Sequence, residues 1–181
     1  MGKKEFDEYL RKQQANTESR TQIDWNKKRD EWLKFVEDFY KELEGFLGEY
    51  TKSGDVTFDY REKDIHEDFI GQYRVKSLLI RIKNKDVVLD PVGTNLIGAK
   101  GRIDMTGEAG VVKFVLVDKN SSGPRISVTI STEGPQEEKG TEEKRDQIEW
   151  GWKIATSPPR IRYIDINAES FFDALMEVIN G

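Results

Sequence analysis

From Asp24 to Gly48 the apolar positions recur at helical spacing: Trp25, Trp32, Val36, Phe39, Leu43, Phe46 and Tyr50 are separated by steps of seven, four or three and so share one stripe of a helix. Phe35, Tyr40 and Leu47 widen the stripe. Thr21 or Asp24 can cap its start, and Gly48 with Ser53 and Gly54 supplies its stop. A long helix with one apolar face is the ordinary cover of a sheet, so this stripe is expected to pack in the core. An interface for a partner is the alternative use of such an aromatic face.

Beyond Gly54 the period changes to two. Val56, Phe58 and Tyr60 alternate with Thr57 and Asp59, which predicts a half-buried strand ending near Arg61. Residues 73–83 predict a long strand whose parity changes near Ser77 and Leu78, as a bulge would produce. Asn84 and Lys85 connect it to Val87, Val88 and Leu89 as a hairpin that Pro91 and Gly93 end. A second hairpin joins Arg102–Thr106 to Val111–Asp118 through Gly107–Gly110. Alternation returns at Ile126, Val128 and Ile130, and again at Ile148, Trp150, Trp152 and Ile154. The charged run 134–147 between them has almost no apolar anchor and is expected to be a mobile loop. After Pro158 and Pro159, Arg160–Ile166 reads as a last strand. Asn167 then caps a helix whose apolar face is Phe171, Phe172, Leu175, Val178 and Ile179.

The predicted fold class is α+β: a mostly antiparallel sheet of six to eight strands, flanked by a long N-terminal helix and a C-terminal helix. Residues 21–181 are expected to form a single domain. Residues 1–20, with Phe6, Tyr9 and Leu10 on one face but few aliphatics, are expected to be a marginal helix or a flexible tail.

Composition narrows the chemistry. Of 181 residues, 36% are hydrophobic and 35% charged, so apolar material must be concentrated in well-patterned elements. There is no cysteine, which removes disulfides, thiolate nucleophiles and cysteine-ligated metals. No run approaches the ~18 apolar residues that span a bilayer, and MGKKEFDEYL lacks the apolar core of a secretory signal. The expectation is a cytoplasmic protein without a membrane partner. The net charge is −5, yet residues 72–125 carry ten Lys or Arg against five Asp or Glu. A basic sheet face of this kind protects edges or contacts a polyanion.

Several constellations bear on function. His66 is the only histidine and no G-x-S-x-G elbow occurs, so hydrolase triads fail. The stretch from Gly93 to Gly101 has the spacing of a phosphate loop, but Ala99 stands where the Lys is needed. Asp64, His66 and Asp68 would face one way on an extended chain and suit a hard divalent metal; a solvated acidic loop has the same composition. Asp104, followed after a turn by Lys113 and Asp118, is similar in outline to hairpin nuclease sites that hold Mg²⁺. Here Asp118 and Lys119 are adjacent and so point to opposite faces, and Val111 stands where the second carboxylate should be. Arg74, Lys76, Lys100, Arg102, Arg160 and Arg162 could contact a polyanion. Trp150 and Trp152, with Gly151 leaving the opposite face bare, could line a pocket against the aromatic helix.

By elimination the sequence points to a non-catalytic binding or interaction module, with no cofactor. Another protein is the expected partner, self-association being one form of this. The alternative is a nucleic-acid-binding or metal-dependent phosphodiester-processing protein that uses the basic segment.

Overall fold

The computed structural model describes residues 2–20, 24–94, 96, 98–124 and 148–181. The chain is α+β, with seven described strands in one antiparallel sheet whose spatial order follows the sequence. The strands are β1 (Val56–Glu67), β2 (Gly71–Ile82), β3 (Lys85–Gly93), β4 (Gly101–Thr106), β5 (Val111–Asp118), β6 (Trp150–Ala155) and β7 (Tyr163–Asp165). The helices are α1 (Gly2–Arg20), α2 (Trp25–Phe46), α3 (Gly48–Lys52) and α4 (Ala168–Asn180). The expected strand at 126–131 and the expected loop at 134–147 lie outside the described residues.

Helix α2 forms where the stripe predicts it. The Asp24 carboxylate accepts from the Lys27 amide at 3.0 Å, which satisfies one of the donors that a helix start leaves unpaired. Gly48 does not stop the helical path; it opens the short α3. Trp32, Val36, Phe39, Tyr40 and Leu43 are buried, while Tyr50, assigned to the same stripe, is largely exposed. At the other end of the chain, Asn167 and Ser170 bond reciprocally to start α4, and its Phe171, Leu175 and Val178 are buried.

Both helices pack on the same face of the sheet. The Phe39 ring lies 4.7 Å from that of Trp152 and 5.1 Å from that of Phe114, and Phe46 meets Phe171 at 5.8 Å. Beneath them, Leu78, Ile80, Leu89, Ile103, Met105 and Leu116 are fully buried. Gly101 permits the closest approach, because a Cβ there would fall 2.1 Å from the Trp32 ring. A side chain at this position would push the helix off the sheet. Helix α1, by contrast, leaves Phe6, Tyr9 and Leu10 exposed.

The extents of β1 and β7 differ from the sequence reading, β7 covering only Tyr163–Asp165 where the sequence predicts a strand over Arg160–Ile166. β1 runs past Arg61 to Glu67 because its outer half pairs residue by residue with β2, from Glu62 opposite Lys76 to Glu67 opposite Gly71. The parity change in β2 is real: burial shifts from Tyr73 and Val75 to Leu78 and Ile80 along the strand, and all four belong to the same core. No bulge causes it: the β1–β2 register is unbroken. β2 pairs with β3 only over Leu78–Ile82, so the outer half of the hairpin is released from β3. β3 runs through Pro91 and ends at Gly93, where the sequence reading places its end, with a register shift against β4 between those two residues. Proline is tolerated because β3 has no β2 partner beyond Leu89, so no ladder bond is lost on that side.

Candidate functional site: the open face of the sheet

Strand register defines two neighbouring rows of side chains on the face that α2 and α4 leave uncovered. The first crosses Asp59, Leu79, Val88, Thr106 and Val111, each directly opposite the next. Val88 is 36% exposed and Val111 50%. The second row contains Asp90 opposite Asp104, Asp104 opposite Lys113, Lys113 opposite Ala155 and Ala155 opposite Tyr163.

Two carboxylates directly across a ladder repel each other, and each here is matched by a cation. Lys63 donates to both oxygens of Asp90 at 2.8 Å and to the Pro91 carbonyl at 3.1 Å; Ser77 donates to Asp90 as well, at 3.0 Å. Arg102 holds Asp104 side-on, with Nε 2.9 Å from Oδ1 and Nη2 donating to Oδ2 at 3.2 Å. The Nε and Oδ1 atoms are shielded from solvent yet make no aligned hydrogen bond, so that contact holds by charge.

Toward β6 the same face is roofed by the chain itself. Lys153, 7% exposed, donates to the Ser121 carbonyl and pairs with Asp165, both at 2.9 Å, which provides the partners a buried ammonium needs. The Tyr163 amide donates to the Ser122 carbonyl. Between this roof and β4–β5 lies a cleft of about 270 Å³ whose lining includes Arg102, Val111, Lys113, Val115, Ala155 and Tyr163. Burial pushes the Tyr163 hydroxyl above its ordinary pKa, so it remains a protonated donor at neutral pH.

The nuclease-like trio does not converge. Asp104 and Lys113 are register partners on the open face, but Asp118 lies five residues along β5, is paired with Trp150, and has the parity of Phe114 and Leu116, which face the helices. Its carboxylate accepts from the Asn120 amide in the turn that follows. Asp64 pairs with Arg74 at 3.4 Å, while His66 and Asp68 are exposed at the hairpin end. Among the described residues, no group of three His, Asp or Glu side chains is arranged to hold a metal ion.

The basic residues are divided rather than gathered. Arg74 lies between Glu62 and Asp64, and Lys76 sits over the Tyr60 ring at 5.9 Å, both at the β1–β2 edge. Arg160 and Arg162 are exposed beside β7, at the opposite edge. Five strand spacings of about 4.8 Å put roughly 24 Å between β2 and β7.

Both candidate tryptophans face the helices. Trp152 belongs to the core, its indole donating to the Phe35 carbonyl at 3.2 Å. Trp150 borders a cleft on that side of the sheet, and the chain's own Lys100 reaches into it. The ammonium lies 5.1 Å from the Phe35 ring, 5.2 Å from the Trp150 ring and 3.1 Å from Glu31. Gly151 does not bare the opposite face, because the Lys119 stem lies over it, 2.6 Å from where a Cβ would stand.

Sequence reasoning did not find Lys63, Ser77, Asp90, Lys153 or Tyr163. Each is an ordinary polar residue in its own segment, and only the register places them together. The fold and this face define an antiparallel α+β protein with helices on one side of the sheet and a mixed apolar and charged surface on the other. Among known proteins, no family model matches the chain, and no curated protein or solved structure shows significant similarity to it.

Proposed function

We propose that the chain is a non-catalytic binding module that engages another protein through the open face of its sheet. The observation that carries this reading is the pair of adjacent rows: exposed Val88 and Val111 beside Lys113 and the ion-paired carboxylates Asp90 and Asp104. Exposed apolar side chains bordered by polar ones are the composition of a protein interface. A polyanion would need an excess of unpaired cations on one surface, and here the cations of this face alternate with carboxylates.

A photo-crosslinking residue placed at Val88 or Thr106 on the open face, and at Lys41 or Glu169 on the helices, tests the reading in cells. Crosslinks to one discrete protein, or to a second copy of the chain, are expected from the open-face positions and not from the helical ones. Equal labelling from both sets, or none from Val88 and Thr106, would overturn it.

A further inference from the structure

We infer that the cleft between β4–β5 and the 156–163 segment binds a small organic carboxylate, with the apolar body against Val111, Val115 and Ala155 and the carboxylate at Arg102, Lys113 and Tyr163. The inference rests on the reading of the open face as a binding surface and names a ligand for one part of it.

Three features of the cleft point to this chemistry. Arg102 spends its Nε–Nη2 edge on Asp104, so with respect to the described residues the other edge of a guanidinium that lines the cleft retains donors spaced to grip a carboxylate. Lys113 stands directly across from Asp104, is exposed, and lines the same cleft. Together Arg102, Lys113 and Asp104 leave one net positive charge, which matches a monoanion and falls short of a phosphate dianion. Few polar groups converging over an apolar floor are the usual make-up of a small-molecule site. The volume of about 270 Å³ is many times the roughly 10–15 Å³ that a single water needs, which leaves room for a small organic acid.

The test titrates the full chain with octanoate, octan-1-ol and inorganic phosphate while the methyl resonances of Val111, Val115 and Ala155 are followed. Octanoate is expected to shift these methyls to saturation, with octan-1-ol weaker by about tenfold and phosphate without effect. Lys113→Gln, at an exposed position, should weaken octanoate by about tenfold and leave octan-1-ol unchanged; Arg102→Lys, which keeps a cation beside Asp104, should also weaken octanoate. Equal affinity for octanoate and octan-1-ol, shifts centred instead on Val36 and Val75, or phosphate binding tighter than octanoate would each overturn the proposal. Loss of octanoate binding with crosslinks at Val88 intact would remove the ligand and keep the interaction surface. Loss of the crosslinks alone would do the reverse.

Discussion

At the scale of single residues, Phe39 and Tyr40 show how adjacent positions on α2 do different work. Phe39 is 1% exposed and touches two rings of the sheet, so Phe39→Ala should cost about 3–5 kcal/mol in urea unfolding. An unchanged unfolding midpoint would show that the ring is not part of the core. Tyr40 is equally buried but carries a hydroxyl, which donates to the Lys76 carbonyl at 2.8 Å. Burial first, and then the charge of Asp90, push its pKa well above the ordinary 10.0; burial and the Glu67 carboxylate do the same to Tyr73. Above about pH 10 the unfolded chain therefore releases protons that the folded chain retains. Stability should be flat up to that point and fall as pH rises beyond it, with Tyr40→Phe showing a shallower fall. Urea midpoints across the alkaline range check this, and a slope identical in the variant would refute the assignment.

At the scale of elements, helices with caps and one apolar face were readable from spacing alone, because a helix stripe is a local pattern. Strand ends were not. β1 outruns its own alternation since β2 supplies twelve consecutive partners, a property of the pair rather than of either segment. The exposed side chains of α1 bear on its energetics: Phe6, Tyr9 and Leu10 are 59%, 57% and 45% exposed, and exposed apolar groups contribute little to folding. Removal of residues 1–20 should move the unfolding free energy by no more than about 0.5 kcal/mol. A larger loss would mean that α1 packs on the body of the protein.

At the scale of the whole molecule, the distribution of charge decides what the surface can attract. The segment 72–125 is basic as a sequence, yet Lys100 pairs with Glu31 on α2, Arg102 with Asp104, and Arg74 with Glu62 and Asp64 on β1. With the net charge at −5, no salt-sensitive binding to single- or double-stranded nucleic acid is expected at micromolar protein and low ionic strength. Fluorescence anisotropy with labelled oligonucleotides measures this directly, and affinity that falls steeply with added salt would reinstate a polyanion surface. Among the described residues, no helix is long and apolar enough to cross a membrane.

The sequence by itself determined the fold class, the two helices that cover the sheet, the hairpin turns around Asn84 and at Gly107–Gly110, and most of the core. These follow from periods of 3.6 and 2 and from capping residues, all of which act over a few neighbouring positions. Of the candidate site, Arg102, Asp104 and Lys113 stood out in the sequence, and tertiary structure alone decided which residues surround them. Asp90 and Asp104 face each other across a ladder, Lys63 reaches Asp90 from two strands away, and Lys113 meets Tyr163 in the same row through Ala155. Asp118 and Asp104 were drawn together on paper by their closeness in the chain, and the two-residue period of β5 turned them to opposite faces. Which polar residues become neighbours depends on strand order and register, and those are set by how the apolar faces of distant segments fit against α2 and α4.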